Sequence, residues 1–386
     1  MSTLQLPLPE IASQFQLDPE ITFLNHGSYG ACPKPVFDVF QNWQRELERN
    51  PVEFIGMRLP GLLNEARAKL APFIGTEADN IVYVKNVTFG INIVARSLKL
   101  NPGDEVLTTD HEYGATNNAW QFNCDRQGAV YIKQPIPLPI EDPHDVVEYL
   151  WSGVTDRTKV IAISHITSPT ALIFPIEEVC KRAREAGIIT VIDGAHAPGQ
   201  IDLDMEAIGA DYYAGNSHKW MSSPKGAAFL YARPERQDAL EPLSVSHGWN
   251  RPNSERSQFL DYFSATGTDD PSSYLSVPAA IEFQEKNNWQ EVRAACKSLL
   301  QEAQGRILEL SDLPPISPDS MFSQLRSIPI PGKASDYRHF WEEHKIIVPI
   351  VEWNGHTFVR ISVQGYNGPE DIDMLISAIS EVARKS

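Results

Sequence analysis

Lys219 and Asp193 are the residues whose types and spacing most clearly permit chemistry. The lysine stands in Asp211-Tyr-Tyr-Ala-Gly-Asn-Ser-His-Lys-Trp220, 26 residues after the aspartate that closes the apolar run Thr190-Val-Ile-Asp193. A lysine amine can condense with an aldehyde to a Schiff base. A carboxylate at a strand end can pair with a protonated pyridine nitrogen and keep that ring electron-withdrawing. The two together are what pyridoxal 5'-phosphate needs. Alone, either residue reads as a turn aspartate or a surface lysine; the surrounding pattern decides for chemistry.

Three polar stretches could hold a phosphate. Asn86-Val87-Thr88 precedes a helical pattern, so its backbone N–H groups and the Thr88 hydroxyl can face an anion at a helix start. Asn216, Ser217 and His218 adjoin the lysine and can add donors. Gly267-Thr268 lies in the turn-rich segment Ser264-Ala-Thr-Gly-Thr-Asp-Asp270. Each alone is an ordinary turn. A GxxxxGK[ST] run is absent, which disfavours a nucleotide phosphate, and without a GxGxxG turn a nicotinamide dehydrogenase is disfavoured too.

The elements that must position these groups alternate. Strand-like runs cover Ile81–Val84, Glu105–Thr109, Ala129–Ile132, Lys159–Ser164, Ile188–Ile192 and Gly226–Tyr231, with helical patterns at Ile91–Leu98 and Ile176–Glu185. This predicts an α/β fold with a mostly parallel sheet. Ligands then gather beyond the carboxyl ends of the strands. Thr88, His111, Ser168, Asp193 and Lys219 all follow strand-like runs. Beyond Ser276 the texture changes: helical patterns at Val277–Lys286 and Trp289–Leu308 precede strands near Gln324–Pro329 and Thr357–Val363, then a helix from about Glu370. The expected division is an N-terminal arm (1–20), a large cofactor-binding domain (21–275) and a small C-terminal α+β domain (276–386).

Composition narrows the partners. Lys and Arg number 33 against 50 Asp and Glu, a net charge of −17 that argues against nucleic acid or an anionic membrane surface. The four cysteines are scattered, without a CxxC pair, so cytoplasmic thiols are expected rather than disulfides or a metal site. A signal peptide is not expected, nor a membrane span, since the apolar runs are short.

In order, the motifs Phe23-Leu-Asn-His-Gly-Ser-Tyr-Gly30, Ser164-His-Ile-Thr-Ser-Pro-Thr170, Asp193-Gly-Ala-His196, Ser217-His-Lys-Trp220, Gly267-Thr268 and Val359-Arg-Ile-Ser362 resemble those of class V aminotransferases. These are fold type I pyridoxal-phosphate proteins. The opening Asn-His-Gly-Ser-Tyr-Gly, Asp110-His-Glu-Tyr113 and Gly267-Thr-Asp-Asp-Pro-Ser-Ser-Tyr-Leu275 are most similar to the isopenicillin N epimerase-like branch.

The resemblance implies roles. Lys219 would carry the cofactor and move the Cα proton, Asp193 would hold the ring nitrogen, and His196 would lie near the ring hydroxyl. Val87, Thr88, Asn216 and His218 would bind the phosphate. Gly267 and Thr268 would reach the phosphate of a partner subunit, which implies a homodimer with shared sites. Arg360 would clamp the substrate carboxylate, with Asn25 and Ser28 lining the pocket. Tyr113 is favoured to stack on the ring over His111. Ser168 departs from the asparagine common in desulfurases. Arg58 is either a further local cation for an anionic substrate or a helix salt-bridge residue.

The expected activity is a pyridoxal-phosphate-dependent reaction on an amino acid or a derivative, epimerase-like. A cysteine/cystine or sulfoxide C–S lyase is the alternative, with a class V aminotransferase behind it. Persulfide-forming desulfuration is disfavoured, because Cys296, between Lys219 and Arg360, lies in an amphipathic helical pattern. A cofactor-free binding module on the same fold is the alternative of another class.

Overall fold

The computed structural model describes residues 6–251, 254 and 256–384. The strands, in chain order, are β1 (Thr22–Phe23), β2 (Ile81–Val84), β3 (Glu105–Thr109), β4 (Val130–Gln134), β5 (Thr158–Ser164), β6 (Ile189–Gly194), β7 (Tyr212–Asn216), β8 (Ala228–Ala232), β9 (Leu325–Ile330), β10 (Ile346–Ile347), β11 (Ile350–Trp353) and β12 (His356–Ser362). Seven form one sheet in the order β2-β8-β7-β6-β5-β3-β4. From β4 to β7 every pairing is parallel, and only β8 runs against its neighbours. The alternation of strand and helix in the sequence therefore yields the mostly parallel α/β sheet it predicts.

Strands of such a sheet are buried on both faces and must be apolar throughout. In β2, Ile81 and Tyr83 join one apolar layer while Val82 and Val84 join the other. In β5, Ile161 and Ile163 face the first layer, Val160 and Ala162 the second. The edge strand β4 departs from this rule, with Val130 exposed.

A second sheet, β11-β12-β9, is antiparallel. Its Ile328 and Ile361 share a cluster with Val292 and Ile307 of the helix Trp289–Ser311 and Ile372 of Pro369–Ala383. Leu6, Leu8, Ile11 and Phe15 enter the same cluster. The short strand β1 pairs in parallel with β10.

Several elements differ from expectation. The helix expected from Ile91 starts at Val87, because the Asn86 side chain accepts from the Phe89 N–H at 2.8 Å and caps it there. Val87 and Thr88 thus form the first turn instead of preceding it. The sequence reading does not single out β7, whose Ala-Gly-Asn end is poor in strand-forming types. Nor does it identify the helices Lys34–Arg49, Leu59–Phe73 and Gly114–Gln127.

Candidate active site

The parallel strands β3, β5, β6 and β7 end on one edge of the sheet, and a cleft opens there. It is lined by Lys219, Asp193, His196, Asn216, Thr88 and Arg360, together with Val87, Tyr113, Ser168, His218 and Ser28. Residues spread over more than 330 positions thus meet because the sheet collects its strand ends.

Lys219 is held from two sides. Its carbonyl accepts from His26 Nε2–H at 3.0 Å, and Tyr366 donates to His26 Nδ1 at 3.0 Å. His26 is fully buried, and burial keeps its imidazole neutral, down to about 3. Gly30 completes the support. Its φ is +71°, and a Cβ there would stand 2.1 Å from the His218 carbonyl oxygen. Only glycine permits both the left-handed backbone and the approach. The Lys219 Nζ lies 3.2 Å from His196 Nε2. Burial lowers the amine to about 8, with Asp193 opposing and Arg360 adding to the shift.

Asp193 is nearly fully buried, accepting from Thr116 Oγ at 2.7 Å and from the Ala195 N–H at 3.0 Å. Burial still holds its carboxyl above the ordinary value, against those two hydrogen bonds and the Lys219 charge. A cationic ring nitrogen beside it would favour the carboxylate.

The phosphate side is built on the capped helix start at Val87. The Val87 N–H donates to Asn216 Oδ1 at 3.0 Å, which leaves the Asn216 amide N–H groups available. Thr88 lines the cleft beside them. His218 donates Nδ1–H to the Ala227 carbonyl at 2.8 Å, and burial brings it down to about 4. Neutral His218 therefore has a bare Nε2 and offers a phosphate no donor. An adjacent dianion would favour the imidazolium, which donates from both nitrogens.

Arg360, on β12, is buried and reaches across to two other segments. Its Nη1 donates to the Ser168 carbonyl at 2.7 Å and to Ser168 Oγ at 3.2 Å, and Nη2 donates to Ser28 Oγ at 3.2 Å. The Nε–H is buried without a partner. Of five donors, Nε–H and one on Nη2 remain for an anion. Ser28 in turn donates to Asn25 Oδ1 at 2.6 Å, so Asn25 supports the wall without lining the cleft.

Other expected residues fall elsewhere. His111 is fully buried outside the cleft, bonded to Thr170 Oγ and the Ile136 carbonyl and packed on Trp353, whereas Tyr113 lines the cleft and is half exposed. Gly267 and Thr268 lie on a separate surface cavity with His247, Arg251 and Arg256, so one chain alone does not bring them to Lys219. Arg58 forms an exposed ion pair with Glu46 at 2.9 Å, outside the Lys219 cleft.

Four functional positions escape the sequence reading. Thr116 sits in a helix that reading does not identify, and nothing in its context marks it. His26 and Glu112 stand inside the quoted motifs, but only geometry reveals their partners. Glu112 accepts from Thr109 Oγ at 2.7 Å and Ser164 Oγ at 2.5 Å, and burial pushes its carboxyl up to about 7. Trp220 is fully buried and its indole N–H reaches His196 Nδ1 at 3.4 Å.

These side chains fit pyridoxal phosphate. An amine lowered to about 8, a buried acid outside any direct ion pair among the described residues, a capped helix start with spare donors and an unpartnered guanidinium N–H match its aldehyde, ring nitrogen, phosphate and an attached amino acid. Sheet and cleft together define a fold type I enzyme. The chain belongs to the class V aminotransferases: the model of that family, "Aminotransferase class-V", matches residues 30–375. It is accordingly a pyridoxal-phosphate-dependent enzyme.

An isopenicillin N epimerase of Amycolatopsis lactamdurans is 33% identical, over 96% of this chain and 97% of its own. A probable chloroplastic L-cysteine desulfhydrase of Arabidopsis thaliana is 29% identical over 97% of this chain and 86% of its own. Among solved structures, the apo cysteine desulfurase of Thermococcus onnurineus NA1 superimposes with a TM-score of 0.83 at 21% identity, covering 100% of both chains.

Proposed function

We propose that this enzyme epimerises the α-carbon of an amino acid or amino-acid derivative. When bound, pyridoxal phosphate supplies the electron sink that acidifies the substrate Cα–H. The residues do the rest. Arg360 takes the substrate carboxylate on its two remaining N–H donors. Asp193 would hold the ring nitrogen and favour its protonated form. Lys219, lowered to about 8, is basic enough to take a Cα proton and deprotonated in a useful fraction near neutrality. Tyr113 lines the cleft with its ring half exposed and would be the aromatic side chain offered to the cofactor ring. We further propose that Gly267 and Thr268 serve the phosphate of a second copy, making a cytoplasmic homodimer.

One observation weighs against desulfuration: among the described residues, no thiol lines the cleft. Cys296 is fully buried in the helix Trp289–Ser311, and burial pushes its thiol upward. That argues against a persulfide-forming desulfurase, despite the fold shared with one. Epimerisation ranks first through the 33% identity with the epimerase over 96% of the chain. Elimination at Cβ is the second reading, favoured by the desulfhydrase relative, and it requires only Lys219 and a leaving group.

The test is an absorbance titration of the loaded protein with L- and D-amino acids and cysteine derivatives, followed by product analysis. Appearance of the opposite enantiomer supports epimerisation. Pyruvate with sulfide assigns the protein to the lyases. No spectral response to any amino acid refutes both.

A further inference from the structure

Trp220 directly follows the cofactor lysine, yet it does not line the cleft. It is fully buried, its ring lying against His26 at 5.1 Å between centroids. An indole has one polar hydrogen and no acceptor. That hydrogen is aimed at His196 Nδ1, at 3.4 Å. An indole N–H cannot face another N–H, so Nδ1 of His196 must be bare. This excludes the imidazolium and the Nδ1–H tautomer together. The proton of neutral His196 then sits on Nε2, and Nε2 faces the Lys219 Nζ at 3.2 Å. A donor aimed at an amine requires a lone pair on that amine.

We propose that Trp220 is a positioning residue that locks His196 in its Nε2–H tautomer, so that His196 donates to Lys219 and favours the neutral amine over the ammonium. The surroundings agree. Burial first, and the Arg360 charge with it, keep His196 well below its usual value even where Lys219 is neutral, and burial with Arg360 lowers Lys219 against the pull of Asp193. Among the described residues, Asp193, Arg360, His196 and the neighbouring His218 are titratable or charged groups that act with the amine. With Asp193 as the counter-charge, an ammonium would otherwise be favoured. A correctly oriented imidazole provides a donor that only the neutral lysine can accept. The same Nε2–H is available to an oxygen of the cofactor once the lysine is engaged.

The inference rests on Lys219 being the reactive amine, but its test reads His196 directly. The full chain is labelled with ring-¹⁵N histidine, and the His196 signals are assigned by their loss in His196→Gln. Spectra are recorded before and after loading with pyridoxal phosphate. The expected result is an unprotonated Nδ1 and a protonated Nε2 across the neutral pH range in both states. In Trp220→Phe the lock is gone, and the preference for Nε2–H should fall about fivefold, the worth of one hydrogen bond. The pH at which the cofactor-free amine captures pyridoxal phosphate should rise in parallel. A wild-type His196 carrying its proton on Nδ1, or on both nitrogens, overturns the proposal, and this result needs no variant to fold. A folded Trp220→Phe with unchanged nitrogen signals overturns it as well. Failure of Lys219 itself to capture the cofactor, with the tautomer as expected, would instead count against the assigned lysine.

Discussion

Arg360→Leu should abolish the enzyme's preference for a carboxylate on its amine substrate. Three of the five guanidinium donors are already committed to Ser168 and Ser28, so the recognition strength lies in the two that remain. Leucine leaves the bound carboxylate in a buried site without its counter-charge. Breaking one partner of a buried pair costs about 3–5 kcal/mol, or roughly 10²- to 4 × 10³-fold in affinity. Arg360→Lys keeps the charge and loses the fork, and should cost about tenfold. The assay is a titration of the loaded protein with L-alanine and with ethylamine, which lacks the carboxylate. In wild type alanine should bind far more tightly; in the leucine variant the two should converge. Ethylamine binding and the melting temperature serve as controls, because removing the arginine also releases two segments of the wall. A leucine variant that still discriminates alanine from ethylamine as wild type does would refute the carboxylate assignment.

Three further outcomes follow from the same geometry. Lys219→Ala should carry no borohydride-stable pyridoxyl label at any position by mass spectrometry, and a persisting label would place the Schiff base elsewhere; in wild type the rate of cofactor capture should climb with pH and level off above about 8, the lowered value of the amine. A profile still rising steeply towards pH 10 would contradict the neutral-lysine argument. Glu112 is raised from 4.5 to about 7, so its contribution to stability is fully present below the unfolded value and lost as pH rises through 7. Glu112→Gln should flatten the fall in melting temperature over that window relative to wild type, and parallel curves would argue against a buried proton there. Gly30→Ala should lose at least ~2 kcal/mol by denaturant unfolding, through its positive φ and the His218 carbonyl. Gly56→Ala, with nothing within 4 Å of the added carbon and a helical backbone around it, is the control and should not destabilise, gaining up to about 1 kcal/mol.

Much of this was legible before any coordinates, and the reason differs by residue. Asp193 could be read because it ends an apolar run, and Lys219 because it stands among small and polar residues 26 positions later, in the spacing that a Schiff-base lysine and its ring-nitrogen partner suggest. Arg360 stands in a β-branched run that marks a strand and follows known company in the family's motifs. Thr116 could not be read: a threonine in a helix without a clear apolar stripe gives no hint that it faces a carboxylate 77 positions away. The strand β7 was hidden by small residues whose burial comes from its central place in the sheet, not from its own composition. His111 and Tyr113 are two positions apart at a strand end, and the choice between cleft and core is set by tertiary packing on Trp353, which no local pattern carries.

The stretch Leu24–Gly30 ties the three-stranded sheet to the segment between β7 and β8. The Ser362 N–H donates to the Leu24 carbonyl, Ser362 Oγ accepts from Gly27, Tyr366 donates to His26, and Lys225 reaches the Gly30 carbonyl at 2.9 Å. Its partners lie 193 to 340 positions away. The ribosome therefore releases this stretch early and leaves it waiting for most of translation, since chains emerge at roughly 5–20 residues per second. A nascent chain shorter than residue 366 can build the strands that hold Asp193 and Lys219, yet it lacks the tyrosine that orients His26 under the lysine. Capture of the cofactor is thus a late event in the life of each molecule, and a stalled or truncated product should remain colourless although most of its sheet has formed.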